Sequence, residues 1–182
     1  MKEKSTSVRI KHVATATLLL IFGAASAYAQ PSHVSMTVSG SAAASTVNLQ
    51  PGVPASEYQL AGNGNLGPFT LRVISAGGTP QQSSSCSGPL KLFIPVVAGG
   101  ALARFENGDL LTVLLTGGSD CIDFAAGHAI CTRVFQVTGG TGRFDNTSGG
   151  TLTLVMTVKP ALGNASNSPV FFSVTGTLTG TL

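Results

Sequence analysis

The feature that most limits what this chain can become is a two-residue alternation of apolar and polar side chains, interrupted again and again by glycine. From Thr151 to Val158, Leu152, Leu154, Met156 and Val158 fall on one side, and Thr151, Thr153, Val155 and Thr157 on the other. Near the C-terminus Phe172, Val174 and Leu178 alternate with Ser173, Thr175, Thr177 and Thr179. Phe69, Leu71 and Val73 alternate with Thr70, Arg72 and Ile74, and Phe135 and Val137 with Thr132, Gln136 and Thr138. In an extended chain successive side chains point to opposite faces, so each pattern predicts a half-buried strand. Val34–Ser39, Leu90–Ile94, Ala101–Glu106 and Leu110–Thr116 add further strand candidates. Helical periodicity is nearly absent.

Between the strands stands turn chemistry. Asn107-Gly108 is a strong hairpin signal, because both residues tolerate positive φ. The pairs Gly77-Gly78, Gly99-Gly100, Gly117-Gly118, Gly139-Gly140 and Gly149-Gly150 mark further turns. Two stretches read as loops: Ser41–Asn65, an excursion holding one weak strand, and Lys159–Pro169. Closely spaced strands without helices between them predict an all-β, antiparallel sandwich or barrel. Closing the sheet would remove the exposed edges that Thr/Val-rich strands otherwise present.

The first residues follow another logic. Lys2, Lys4, Arg9 and Lys11 precede a 13-residue apolar run, Val13–Ala25, and Ala27-Tyr28-Ala29 offers small residues at a cleavage site. This predicts a signal peptide over 1–29 and one domain over 30–182, exported to the periplasm or secreted. The apolar run is shorter than the roughly 20 residues needed to span a bilayer, so no membrane span is expected in the mature form. Of the 10 Lys+Arg and 7 Asp+Glu in the chain, the leader carries four and one, leaving six of each. A mature domain near neutrality lacks the basic footprint that nucleic acid requires.

Val137-Thr138-Gly139-Gly140-Thr141-Gly142-Arg143-Phe144, followed by Gly149-Gly150 and a Thr-rich strand, is the most distinctive segment. It resembles the glycine turn of the allene oxide cyclase and dirigent proteins and their bacterial barrel relatives. Leu66-Gly67-Pro68-Phe69-Thr70 is similar to that family's early strand, and Asn107-Gly108-Asp109-Leu110-Leu111 to its mid-chain hairpin. The resemblance implies a calycin-like, eight-stranded antiparallel barrel with a central cavity, often assembled as a homodimer or homotrimer. It implies family-turn roles for Gly139, Gly140, Thr141, Gly142 and Phe144. The chain departs from the family in its chemistry. Val34–Ser39 lacks the acidic residue and Asn that serve the cyclases, and Asp145-Asn146-Thr147-Ser148-Gly149 lacks the basic stretch of dirigent proteins. Read physically, the glycines permit positive φ at a strand-to-strand turn, and Phe144 is expected to pack across the barrel end. A phosphate-binding loop does not fit, because no helix and no appropriately placed Lys follow.

Chemistry-bearing residues concentrate in one place: Asp120, Cys121, Asp123, His128 and Cys131. Two readings compete. Cys121, His128 and Cys131 with a carboxylate could hold a metal; in an exported protein, a Cys121–Cys131 disulfide across neighbouring strands is the reading preferred here. Cys86 is then left as the odd thiol. A triad of His128 with Asp120 or Asp123 has no nucleophile elbow to serve it. Arg133 shares the apolar face of Phe135 and Val137, where a charge needs a partner or a route to water. It is expected to pair with an acid such as Asp123, or to hold a ligand carboxylate at a cavity mouth. Asn146-Thr147-Ser148 and Asn164-Ala165-Ser166 are glycosylation sequons, relevant only in a glycosylating host. No cofactor is expected.

Three functions follow from these observations. The first is a non-catalytic barrel that binds a small apolar molecule or acts as an interaction module. The second is a cyclase- or dirigent-like isomerase, which requires acids, Tyr or Arg inside the cavity. The third is a structural envelope or matrix protein, which requires a filled interior.

Overall fold

Eight antiparallel strands, each paired with its neighbour in sequence, close into a barrel when β8 returns to β1. The strands of this computed structural model are β1 (His33–Ala44), β2 (Ala55–Gly64), β3 (Phe69–Gly77), β4 (Lys91–Phe105), β5 (Leu110–Asp123), β6 (His128–Gly140), β7 (Thr151–Pro160) and β8 (Phe172–Thr181). The structure describes residues 32–161 and 171–182. The leader assigned to 1–29, the second sequon and most of the 159–169 loop lie outside the described residues.

The alternation read from the sequence becomes the inside and outside of the barrel. Val34, Met36, Leu71, Val73, Phe135, Val137, Leu152, Leu154, Met156, Val174 and Leu178 are buried in a single core. The Thr and Ser positions between them face outward. An apolar interior with a polar exterior is the reverse of a lipid-embedded barrel, whose apolar band faces out. Among the described residues, no helix is long and apolar enough to cross a membrane.

Several expected turns are strand interior. Gly99-Gly100 lies within β4, so the two candidates Leu90–Ile94 and Ala101–Glu106 are one 15-residue strand. Gly117-Gly118 lies within β5, and Gly139-Gly140 ends β6 while still paired with Thr112 and Leu111. The excursion expected over Ser41–Asn65 is largely strand, because β1 runs on to Ala44 and β2 begins at Ala55. Glycine suits both a turn and a crowded sheet, and in a narrow barrel the second use dominates.

The most consequential irregularity is in β5. Leu115 faces Phe135 on β6, but the next pair is Gly117 with Val134, so Thr116 has no partner of its own. Its hydroxyl donates to the Val134 carbonyl (3.2 Å). Gly118 follows with φ 152°, opposite Arg133. One extra residue reverses the alternation of everything after it. Had the inward series Leu111, Val113 and Leu115 continued, Cys121 and Asp123 would face the interior. After the bulge, Asp120 and Ile122 face it instead.

The two barrel ends differ. At the end where β6 stops, Phe144 is 2% exposed and packs on Phe105 (ring centroids 4.9 Å), which packs on Phe69 (5.6 Å). Arg143 lies over the Phe105 ring at 4.4 Å, pairs with Asp109 (3.4 Å) and donates to the Leu66 carbonyl (2.7 Å). The Thr141 hydroxyl accepts from the Leu110 amide (3.0 Å). Gly142 has φ 61° and lies so close to the Asp109 carboxylate that a Cβ there would collide with it. The glycine turn is thus the clasp of a plug. The opposite end is hollow.

Candidate ligand-binding site

The hollow end contains a cavity of about 410 Å³. Towards the plugged end the interior holds only a void of about 10 Å³ among Met36, Leu71, Phe135 and their neighbours. The barrel is therefore a cup, solid below and open above. The cup wall is largely apolar, with Ala42, Ile122, Ala129, Val158 and Phe172. Its polar side chains are Ser56, Tyr58, Asp120 and Cys131 deeper in, and Asp123 and His128 at the rim.

Arg133 lies beneath this floor. β6 carries it inward between Phe135 and Cys131, and it is 1% exposed. Its Nη1 donates to Asp120 Oδ1 (2.6 Å) and to the Thr132 carbonyl (3.0 Å). Its Nη2 donates to Asp120 Oδ2 (3.1 Å) and to the Tyr58 hydroxyl (3.0 Å). Its Nε donates to Ser75 Oγ (3.1 Å). The fork-on-fork pairing with Asp120 uses the planar geometry special to guanidinium and carboxylate. Among the described residues no buried side-chain polar atom lacks a partner. A buried charge this fully bonded can persist in an apolar barrel.

The predicted partner Asp123 is thus replaced by Asp120. Asp123 sits past the bulge on the outward series and pairs with Lys91 (3.4 Å). Its carboxylate also accepts from the Ala126 amide (2.9 Å). That hydrogen bond, with Lys91 beside it, holds the Asp123 carboxyl below its ordinary range.

The cysteine pairing is corrected for the same reason. Cys86 and Cys121 form the disulfide, with Cα atoms 5.6 Å apart, and Cys131 is free and buried. Cys121 and Cys131 lie on neighbouring strands, but the bulge turns Cys121 outward, opposite Ile130, while Cys131 points inward opposite Asp120. They stand on opposite faces of one sheet and cannot be bonded. The bond instead ties the loop carrying Ser84–Cys86 to the outside of β5. With Cys121 so engaged, the Cys121–His128–Cys131 metal set does not assemble. His128 stays at the rim, its Nδ1 3.3 Å from the Ala126 carbonyl.

Burial, reinforced by neighbouring Asp120, pushes the Cys131 thiol well above its ordinary range, although Arg133 pulls the other way. Burial likewise raises Tyr58, against the pull of Arg133. Burial also disfavours the Arg133 charge, but Tyr58 and Asp120 outweigh it and raise that pKa. At neutral pH the floor is therefore a guanidinium, a phenol and a thiol around the Asp120 side chain.

Compared with protein-family models, curated proteins and solved structures, the chain matches none. The resemblance to the cyclase and dirigent barrels rests on three sequence segments alone, the glycine turn, Leu66–Thr70 and Asn107–Leu111.

Of the residues expected to carry function, Arg133, Asp120, Cys131, His128 and Asp123 do gather at one end of the barrel. Gly139, Gly140, Thr141, Gly142 and Phe144 gather at the other, and border no part of the cavity. Sequence reasoning missed Tyr58 and Ser75. Tyr58 fell in a stretch read as a loop, although Tyr58 and Leu60 alternate with Glu57, Gln59 and Ala61 as a short strand would.

Proposed function

We propose that this protein is an exported, non-catalytic barrel that binds a small, mainly apolar molecule in its open end. The observation that carries this reading is the cavity itself, in a barrel whose other half is solid. Its size lies within the roughly 300–1,000 Å³ usual for small-molecule sites, and apolar walls with a few convergent polar groups are their usual composition. The hollow half weighs against a purely structural role, which calls for a filled interior. The disulfide supports export to a periplasm or beyond, since such bonds persist in oxidising compartments.

A second reading is favoured by one observation. Asp120 and Tyr58 border the cavity and Arg133 backs them, as an isomerase that steers a reactive substrate would need. The same groups favour binding over proton transfer, because Tyr58 and Cys131 hold their protons tightly and Arg133 is fully engaged.

Native mass spectrometry of the protein purified from an exporting host tests both. A reproducible bound small molecule supports the binding reading. Recovery of an isomer of a molecule that was offered, resolved by chromatography because the masses are equal, supports the second. Bare protein that also takes up no N-phenyl-1-naphthylamine, a neutral apolar fluorophore, overturns both.

A further inference from the structure

We infer that the cavity selects a neutral ligand bearing a hydrogen-bond donor, such as an aliphatic alcohol, which it holds on Asp120, and that it turns carboxylates away. The inference rests on the reading of the cavity as a ligand site and specifies its chemistry.

The argument begins with which member of the ion pair meets the cavity. Arg133 is 1% exposed, whereas the Asp120 side chain is 19% exposed and lines the wall. The guanidinium has five N–H groups. Nε is taken by Ser75, and the two Nη nitrogens by Asp120, Thr132 and Tyr58. No donor is left for a ligand carboxylate, so the anion-holding role expected of Arg133 has no free atom to perform it. Asp120 differs. Each of its oxygens accepts one bond from Arg133 and can accept a further one, with the Cys131 thiol beside it a weak competitor for one of them. What the floor offers a ligand is therefore an acceptor.

Charge points the same way. A ligand carboxylate would lose its own water and meet the Asp120 oxygens, which can only accept, with the guanidinium fully engaged behind them. At the rim Asp123 is itself paired with Lys91, so it offers a ligand carboxylate no free cation. An ammonium gains little, because the Asp120 charge is already matched by Arg133, and the surrounding walls are apolar. A neutral O–H has neither penalty. Tyr58 accepts from Arg133 and has the Cys131 sulfur beside its own O–H, so the acceptor on Asp120 is what distinguishes a hydroxyl ligand.

The test is displacement of N-phenyl-1-naphthylamine from the purified protein at neutral pH by decanol, decyl methyl ether and decanoate. These share a chain and differ in donor and charge. Decanol is expected to displace the fluorophore at a concentration about tenfold below the ether, the factor that one net hydrogen bond supplies, and further below decanoate. Decanoate or the ether matching decanol overturns the inference and leaves the cavity reading intact. Failure of the fluorophore and of every chain to bind overturns the cavity reading with it. The double variant Asp120→Leu/Arg133→Met removes the acceptor and its counter-charge together. It is expected to keep the fluorophore and lose the preference for decanol. A preference that persists in the folded variant overturns the role of Asp120. Should that variant not fold, the three-ligand comparison on the unaltered protein decides alone.

Discussion

Arg133 shows how a single residue can be visible in a sequence while its surroundings are not. A charge on the apolar face of a strand had to have partners, and it has them on four strands: Tyr58 on β2, Ser75 on β3, Asp120 and Thr132 on β5 and β6. The need was legible because alternation alone places Arg133 with Phe135 and Val137. The identity of the partners was not, because each lies on a different strand and their register is set by the closed sheet. Truncating one member of a buried pair strands the other, at a cost of about 3–5 kcal/mol. Asp120→Ala should therefore lower stability by about that amount in urea unfolding. The double variant Asp120→Leu/Arg133→Met should recover most of the loss, because apolar side chains of similar volume can replace a buried pair. Equal losses in the two variants would mean that Arg133 finds water or another partner when Asp120 is gone.

At the scale of the element, β5 decides the chemistry of the open end. The strand was legible from Leu110 to Thr116, where alternation is regular, and its continuation was hidden by Gly117-Gly118. Two glycines in a row signal a turn in most chains, and here they follow a bulge in an unbroken strand. The bulge behind those glycines separates the structure from two expectations, an acid such as Asp123 as the partner of Arg133 and Cys121 as the partner of Cys131. Both residues would face inward if β5 alternated without interruption. Deleting Thr116 makes this testable, since it removes the unpaired residue, joins Leu115 to Gly117, and leaves Asp120 and Ile122 inward and Cys121 outward by plain alternation. The Cys86–Cys121 bond should therefore survive the deletion, and Cys86 should resist alkylation in the folded protein. Mass spectrometry after labelling would detect a change. A free, labelled Cys86 would show that β5 slips in register instead of closing the bulge, and that Thr116 alone does not set the facing of the strand. The glycine turn tells the opposite story. Its local sequence predicted Phe144 at a barrel end, and Phe144 is there, because the turn that carries it is built from residues adjacent in the chain, although the partners that clasp it, Phe105 and Asp109, are not.

Across the whole molecule, the fold class was legible and the division of labour between the ends was not. Alternation distinguishes inside from outside, but it says nothing of position along the barrel axis. Solidity at one end depends on Phe69, Phe105 and Phe144 meeting from three separate segments. At the hollow end, where packing is sparse, the disulfide closes a 35-residue separation between the Cys86 loop and the cavity-lining strand β5. For a loop of that length the unfolded-state constraint amounts to about 4 kcal/mol. Cys86→Ser should lower thermal stability accordingly, and amide exchange should accelerate more at the Asp123–His128 end than around Phe144. Uniform acceleration would mean the bond acts on the unfolded chain alone.

The pairing of β8 with β1 carries a consequence for how such a molecule is made. Every other ladder joins strands adjacent in sequence and can form as soon as two neighbours exist. The last joins His33–Ala42 to Phe172–Thr181, across nearly the whole domain. Until that seam closes, any partly folded form is an open sheet with two unpaired, Thr- and Val-rich margins, each a template for a second chain. The protein is free of such margins only when complete, so its period of greatest danger from its own copies is the interval before the seam closes.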